Sequence, residues 1–339
     1  MKMSSITVIG LMGAMVAGAA KADDSARDSM AGHDMAMMHS QTNQWMFEYR
    51  WMRMSMEGLL DGSNKVSARD ISGSDMNMMG PPALAAGKDY LMAPVKMTMD
   101  MHMLMAMRGI SERLSIMGTL NYLRNDGQMV MYEGMDSMVD RMKTSGLGDS
   151  MLEAAYSLNP AVKLSMGLSI PTGSIDQKGT MMNIKTRFPY TAQLGSGTYD
   201  MVPGIIYLST SGVWEWGAEG SFTYRMGKNN NDYALGNRLD VSARTVYSIN
   251  DQVQILGRLA AAKWGKIKGQ DPAIDPMMSP DGDPKAQGGK RVDALVGIDI
   301  KPVNNHLVKF EVGAPVYQNL NGPQLKTQWL FSLGYQYMM

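Results

Sequence analysis

The sequence predicts an all-β fold: a transmembrane antiparallel β-barrel of about 12 strands, with short periplasmic turns and long outer loops. Three observations support this class. Apolar and polar residues alternate through segments of about ten residues, short and long connections alternate along the chain, and a secretory signal precedes these segments. The 339 residues include 32 basic and 32 acidic side chains and no cysteine. The zero net charge argues against a nucleic-acid partner, and disulfides and thiol catalysis are excluded.

The N-terminus has the form of an export signal. An apolar run follows Lys2 and ends at Ala20-Lys21-Ala22, which has the A-x-A form of a cleavage site. A retained membrane anchor is the alternative. We therefore expect a signal peptide at 1–22, a disordered tail rich in methionine and histidine at 23–43, and an outer-membrane barrel at 44–339.

Twelve candidate strands follow, each with an apolar and a polar face. They lie near residues 44–57, 94–108, 112–123, 146–158, 161–170, 196–208, 213–226, 234–248, 251–264, 289–301, 305–316 and 325–339. In the first strand, the aromatic side chains of Trp45, Phe47 and Tyr49 alternate with a face that includes Glu48 and Arg50, which is typical of a membrane-spanning strand. A soluble two-sheet sandwich would also show alternation, but it gives no reason for the long loops to lie at one end. The barrel interpretation is therefore preferred.

The second strand carries methionine at every second position from Met97 to Met107. Because side chains alternate between the two faces of a strand, these methionines share one face, and Asp100 and His102 lie on the other. In a barrel, the polar face of a strand is expected to line the lumen. We therefore expect the methionines to face lipid, and Asp100 and His102 to point into the barrel.

The last strand resembles the closing-strand signal of outer-membrane barrels. Its apolar face consists of Trp329, Phe331, Leu333, Tyr335, Tyr337 and Met339. Met339 stands where phenylalanine is usual. We expect the barrel-assembly machinery to recognise this strand, and outer-membrane lipid of a Gram-negative-type cell to surround the barrel.

Three short runs in the middle of the chain are similar to a known family. They are Ser145-Gly146-Leu147-Gly148-Asp149, Gly167-Leu168-Ser169-Ile170-Pro171-Thr172-Gly173 and Leu194-Gly195-Ser196-Gly197-Thr198-Tyr199-Asp200. In order and spacing they resemble the family of outer-membrane transporters named after the meta-pathway of phenol degradation, from about Trp45 to the end. The resemblance implies a barrel that moves small molecules. Relatives with methionine-rich strands resemble a metal-associated subgroup, and residues 30–39 resemble the leader of copper-resistance outer-membrane proteins.

Methionine and histidine also suggest a soft-metal site, because thioether sulfur selects Cu(I) and imidazole binds copper. The candidate metal ligands in the tail are Met30, His33, Met35, Met37, Met38 and His39. Those in the barrel interior are Met46, Met52, Met54, Met56, Asp100 and His102. A third group, after the third strand, consists of Met129, Met131, Met135, Met138 and Met142. The plainer alternatives are a low-complexity linker, a hydrogen-bonded lumen histidine, and exposed methionines in a methionine-rich chain.

Charged residues of both signs fall on the predicted inner faces. They are Glu48, Arg50, Asp149, Glu153, Lys163, Glu215, Glu219, Arg225, Arg238, Asp240, Arg244, Arg258, Asp293 and Lys309. A barrel of about 12 strands encloses more space than one of eight strands and less than a porin of about 16. Opposite charges can pair across this space and close it. We therefore expect a narrow or gated pore.

The sequence thus predicts an outer-membrane transporter or channel for a small solute or metal ion, with copper as the leading candidate. Two alternatives remain: a passive pore for small hydrophobic or aromatic compounds, and a copper-binding module that the barrel anchors. No nucleotide-binding, phosphate-loop or zinc-protease motif occurs. We therefore expect no enzyme activity and no required cofactor, with copper ion the one candidate for a bound metal.

Overall fold

The computed structural model describes residues 43–75, 83–181 and 184–339. The predicted signal peptide and the tail up to residue 42 lie outside the described residues. The candidate metal ligands of the tail therefore also lie outside the described residues; they are Met30, His33, Met35, Met37, Met38 and His39. In the described part of the chain, the main sheet has 13 strands, of which 11 close into an antiparallel barrel and two lie outside it. The predicted barrel class is confirmed.

The described strands follow one another with short connections and a few helical turns. They are β1 (Trp45–Gly62), β2 (Asn64–Val66), β3 (Ser74–Asp75), β4 (Ala83–Leu84), β5 (Met92–Gly109), β6 (Leu114–Glu133), β7 (Asp136–Leu147), β8 (Ser150–Ser157), β9 (Val162–Ile170), β10 (Lys178–Met181), β11 (Ile184–Arg187), β12 (Asp200–Ser211), β13 (Trp214–Arg225), β14 (Tyr233–Ala234), β15 (Arg238–Ser248), β16 (Val253–Trp264), β17 (Lys268–Gly269), β18 (Gly289–Ile300) and β19 (His306–Met338). The helical turns are α1 (Ala68–Ile71) and the 3-10 turns Tyr190–Ala192, Pro280–Gly282 and Pro284–Ala286. No helix among the described residues has the length and apolar character needed to cross a membrane.

The barrel closes because its first wall strand pairs with its last wall strand. Its order is β1, β5, β6, β8, β9, β12, β13, β15, β16, β18 and β19, and β19 returns to β1. The backbone N–H of Trp45 donates to the carbonyl of Met339 (2.9 Å), and the N–H of Met339 donates to the carbonyl of Trp45 (2.8 Å). The apolar C-terminal pattern therefore belongs to the strand that completes the barrel.

The last strand accounts for the difference between 11 strands and about 12. β19 is 33 residues long, and its first part pairs with β18 while its second part pairs with β1. The chain reverses near Gly322, which has a φ of 90°, and the N–H of Met338 donates to the carbonyl of Asn305 at 2.9 Å. The two parts lie side by side. Ten other barrel strands and these two parts make twelve segments of wall.

A long hairpin replaces the loop expected after the third strand. β6 continues to Glu133 and β7 returns beside it, with Glu133 paired with Asp136 and Gly134 at a φ of 55° in the two-residue turn. β6 therefore pairs with β8 up to Thr119 and with β7 from Tyr122 onward. Hydrophobic alternation gave no sign of this hairpin, because one face of β7 is wholly exposed and only Met142 and Thr144 on the other face are buried.

The outward face of the barrel is apolar over most of its height. Phe47 on β1 is 42% exposed and Leu104 on β5 is 58% exposed, and similar aliphatic and aromatic side chains continue around the wall. Further along β1 this face becomes charged, where Arg53 pairs with Asp100 at 2.7 Å. An apolar band bordered by aromatic and charged residues is the surface that an outer-membrane barrel presents to lipid. The protein is an outer-membrane β-barrel.

The predicted orientation of β5 is wrong. Met97 to Met107 at the odd positions are between 0% and 3% exposed and point into the barrel, while Asp100 and His102 lie on the outward face with Leu104. The pairing with β1 is the physical reason. Directly opposed residues of antiparallel strands point to the same side of the sheet, and the inward Met46 is paired with Met107.

Candidate functional site

Methionine side chains line one side of the barrel interior. This methionine face consists of Met46, Met52, Met54 and Met56 on β1 and Met97, Met99, Met101, Met103, Met105 and Met107 on β5. The strand register places four pairs directly opposite each other, from Met46 with Met107 to Met56 with Met97. Each of these side chains is at most 4% exposed. The predicted inward orientation of the four methionines of β1 is therefore confirmed.

Methionine is confined to the inward face of these two strands. Between residues 45 and 57, and again between 96 and 108, the outward positions hold aromatic, charged and small residues and no methionine. A general compositional bias towards methionine would place methionine on both faces of these strands. The methionine face is therefore a specific feature of the lumen.

Apolar residues from the rest of the lumen pack against the methionine face. They are Leu123, Leu194, Ala260, Leu295 and Leu330. The sulfur of Met54 lies 3.6 Å from Nη1 of Arg291 and 3.8 Å from Oγ1 of Thr327. Side chains of the described residues therefore occupy the lumen at this level.

Paired charges fill much of the remaining interior, including the two inward positions of β1 between Met46 and Met52. Nζ of Lys309 donates to Oε2 of Glu48 at 2.8 Å, and Arg50 pairs with the same carboxylate. Arg258 donates to both carboxylate oxygens of Glu311, at 3.1 and 2.9 Å. The further pairs lie within one strand, Arg291 with Asp293 and Arg238 with Asp240, or between neighbouring strands, Arg244 with Glu215 and Arg225 with Asp200. These side chains point inward as predicted, and their pairing offsets the cost of burying the charges.

A segment between β11 and β12 folds into the barrel and narrows it. Its apolar residues Phe188, Tyr190 and Leu194 are 4%, 2% and 2% exposed. The hydroxyl of Tyr190 accepts a hydrogen bond from the N–H of Asp271 at 3.0 Å, and burial raises the pKa of Tyr190 to about 12. Oγ1 of Thr144 on β7 donates to the carbonyl of Ala192 at 2.9 Å. We call residues 188–200 the inward loop.

The three runs that carry the family resemblance meet at one carboxylate. Oδ1 of Asp149 accepts a hydrogen bond from the N–H of Gly173 at 3.0 Å. Oδ2 of Asp149 accepts bonds from the N–H and the hydroxyl of Ser196, both at 2.7 Å. A Cβ on Gly195 would lie 2.4 Å from the carbonyl oxygen of Gly173 and 2.5 Å from Oδ1 of Asp149, so only glycine fits there. Asp149 therefore fixes the inward loop to the wall between β7 and β8.

The second end of the inward loop is held by a related set of bonds. Oγ1 of Thr198 donates to Oδ1 of Asp200 at 2.7 Å, and the N–H of Thr198 donates to the hydroxyl oxygen of Ser196 at 3.3 Å. Arg225 on β13 pairs with the carboxylate of Asp200. Sequence reasoning placed these residues in motifs but missed this role. The one available signal was an acidic residue at the end of two glycine-rich runs.

The predicted interior metal site is not assembled as expected. Nδ1 of His102 is hydrogen-bonded to the hydroxyl of Tyr49 at 2.7 Å on the outward face, and Asp100 accepts from Arg53 at 2.7 and 2.8 Å and from Nε1 of Trp51 at 3.1 Å. Both predicted ligands are thus separated by the barrel wall from Met46, Met52, Met54 and Met56. Among the described residues, no group of three or more His, Asp or Glu side chains is placed to hold a metal ion.

The methionines after the third strand divide into two groups. Met129, Met131 and Met142 are at most 3% exposed and pack in one cluster with Phe188. The other two, at the tip of the β6–β7 hairpin, are Met135 and Met138, which are 94% and 51% exposed. The alternative interpretation, that these are merely exposed methionines, therefore applies only to Met135 and Met138 at the hairpin tip.

Comparison with known proteins agrees with this architecture. The family model described as "Putative MetA-pathway of phenol degradation" matches residues 106–304, more than half of the chain. A search of the curated protein sequences finds no match. An outer membrane channel from Pseudomonas putida F1 is similar in structure, with a TM-score of 0.58 at 15% identity, over 88% of this chain and 96% of that chain.

Two further solved structures are more distant. The monoaromatic hydrocarbon channel CymD has a TM-score of 0.46 at 10% identity, over 96% of this chain and 95% of that chain. The toluene transporter TbuX from Ralstonia pickettii has a TM-score of 0.44 at 8% identity, over 95% of each chain. The likeness to the Pseudomonas putida channel supports the shared barrel fold.

Proposed function

Because the chain belongs to the family described as a MetA-pathway of phenol degradation, we propose that it is an outer-membrane channel through which small apolar or aromatic compounds cross passively. The methionine face is the observation that supports this proposal. On β5 it is unbroken over ten residue steps from Met97 to Met107, about 33 Å of strand. At a tilt of about 40°, this length corresponds to a height of about 25 Å, the height of the apolar band of such barrels.

Thioether side chains suit aromatic solutes for a physical reason. A methionine sulfur gains about 0.3–1.5 kcal/mol in contact with an aromatic ring, and its flexible side chain adapts to solutes of different shape. Many charged side chains of the lumen are paired, so the interior offers few free ionic partners to a charged solute. The family description also names phenol, an aromatic compound.

Passage requires the inward loop to move. In the structure, Leu194 of the loop packs against the methionine face, and Asp149 holds the neighbouring Ser196. A solute that replaced Leu194 on the methionine face would make similar apolar contacts. The channel is therefore proposed to open when the loop leaves this face, with the wall unchanged.

Solute flux into proteoliposomes tests the solute class. The change Met52→Gln with Met101→Gln keeps the side-chain length but makes two opposed positions polar, and Met52→Leu with Met101→Leu is the matched apolar control. We expect flux of phenol, corrected for leakage into protein-free vesicles, to fall several-fold in the glutamine variant and to be retained in the leucine variant. Equal corrected flux of phenol and of a polyol of similar size in the unaltered protein would contradict an apolar channel.

The copper interpretation is a second candidate, and the thioether content of the lumen is what favours it. His102 and Asp100 are no longer part of it, since both lie outside the barrel. An anchored module that uses the tail remains a prediction, because the tail lies outside the described residues. Recognition of the C-terminal segment by the barrel-assembly machinery is likewise proposed, supported by its position at the closing seam.

A further inference from the structure

A small cavity borders one end of the methionine face. Its volume is about 30 Å³, and it is lined by Met56, Met97 and Met99 together with the polar side chains of Asp281 and Gln324. We propose that this cavity is a binding site for a soft monovalent metal ion, Cu(I) or Ag(I), held by the three thioether sulfurs. The site contains none of the histidines and none of the outward residues considered from the sequence.

The strand register brings the three methionines together. Met56 on β1 is directly opposite Met97 on β5, and Met99 is the next inward residue of β5. Directly opposed Cβ atoms lie about 4.5–5.5 Å apart and diagonal ones about 7–8 Å apart, within reach of long side chains. The three side chains are 4%, 3% and 2% exposed. Their flexible ends can therefore converge on one point between the strands.

The size of the cavity selects an ion over an aromatic ring. Its volume of about 30 Å³ is far below the roughly 150 Å³ of a cavity that binds benzene. An aromatic solute of the proposed channel would not fit without displacing the walls. A single metal ion would fit in the cavity without displacing its walls.

The polar lining suits a cation of low charge. Asp281 is 6% exposed and places a carboxylate at the cavity, where it accepts a hydrogen bond from Oγ1 of Thr191 at 3.1 Å. Gln324 is 5% exposed, and its Oε1 has no hydrogen-bond partner among the described residues. A buried acceptor without a donor costs free energy unless a cation or water satisfies it. One carboxylate can balance a monovalent cation.

The donor set excludes the common divalent ions. Thioether sulfur is a soft ligand that selects Cu(I), whereas Mg²⁺ and Ca²⁺ require several oxygen ligands. Met54, the partner of Met99 in the register, is not needed, because its sulfur already faces Arg291 and Thr327. This inference is independent of the solute class proposed above, since it rests on the cavity and its three sulfurs.

Two triple variants separate metal binding from simple packing. Met56→Leu, Met97→Leu and Met99→Leu remove the three sulfurs while conserving volume. Met46→Leu, Met107→Leu and Met117→Leu form the matched control, because these methionines are also directly opposed, at most 1% exposed and clustered at the other end of the same strands. The tail is identical in all three proteins.

The measurement is anaerobic titration of Cu(I) into the detergent-solubilised full chain in competition with a chromophoric chelator, repeated with Ag(I). We expect the first triple variant to lose one equivalent of bound ion, or to bind it at least tenfold more weakly, and the control to match the unaltered protein. X-ray absorption at the copper edge should show sulfur neighbours that the first variant lacks. Equal binding by both variants, or equal loss in both, would overturn the proposal.

Folding of each variant is checked by the heat-dependent gel mobility of the barrel. If the triple variant does not fold, the single change Met97→Leu leaves two sulfurs and should still weaken binding by at least tenfold. Unchanged affinity in this folded single variant would also overturn the proposal. Phenol flux is measured in parallel, so that failure of the metal site and failure of the channel are distinguished.

Discussion

The replacement Asp149→Asn tests how the inward loop is held. Asp149 accepts bonds from the N–H of Gly173 at 3.0 Å and from the N–H and hydroxyl of Ser196 at 2.7 Å. Each bond to a charged acceptor contributes about 1.5–3 kcal/mol. An amide keeps one acceptor oxygen, so at least one bond is lost and the others become neutral. A total of about 2–4 kcal/mol shifts the equilibrium towards the displaced loop by roughly 30- to 700-fold.

Single-channel recording in planar bilayers measures this shift. We expect the variant to be open for a much larger fraction of time than the unaltered protein, and protease to cut the inward loop faster. The control is Asp126→Asn on the β6–β7 hairpin, where the carboxylate accepts from Arg141 at 2.8 Å but is partly exposed. Such exposed pairs contribute about 0–1 kcal/mol. If Asp149→Asn conducts and resists protease as Asp126→Asn does, the loop is not held by this carboxylate.

Three other changes have definite outcomes. Gly195→Ala should open the channel as Asp149→Asn does, because the added Cβ would meet the carbonyl of Gly173 at 2.4 Å; unchanged conductance would refute the close fit. Lys309→Met removes one of the two basic partners of Glu48 and should lower the free energy of unfolding by about 1.5–3 kcal/mol, measured by tryptophan fluorescence in denaturant, with the exposed Lys96→Met as the control. Leu104→Arg places a charge on the outward face and should cost about 2–4 kcal/mol on folding into bilayers; a cost below about 1 kcal/mol would place this residue outside the lipid core.

Alternation along the sequence predicted the strands well but could not choose the inner face of every strand. On β1, charged and aromatic residues separate cleanly, so Glu48 and Arg50 were correctly placed inside. On β5, the face with Asp100 and His102 looked like the lumen side, yet it is outward because Asp100 finds a partner in Arg53 on the neighbouring strand. The sequence of a single strand does not show which of its faces points inward. The pairing of β5 with β1 shows it.

Sequence patterns also could not show the extended hairpin or the meeting of the motifs. β7 lies outside the closed ring, one of its faces is wholly exposed, and only Met142 and Thr144 on the other face are buried, so its apolar alternation at period two is weak. Asp149, Gly173 and Ser196 were each quoted as parts of separate runs, but their distances depend on how the loop between β9 and β12 returns into the barrel. Local periodicity says nothing about such a return.

The seam between β1 and β19 has a consequence for the time course of assembly. Tyr49 on β1 is paired with Tyr335 on β19. One edge of the first wall strand therefore stays unpaired until the last wall strand has been added. Closing so long a loop is entropically unfavourable, and until then one edge of an aromatic-rich strand presents unpaired N–H and C=O groups. An incomplete chain therefore has no closed ring, and the interval before closure is when the protein is most prone to aggregate.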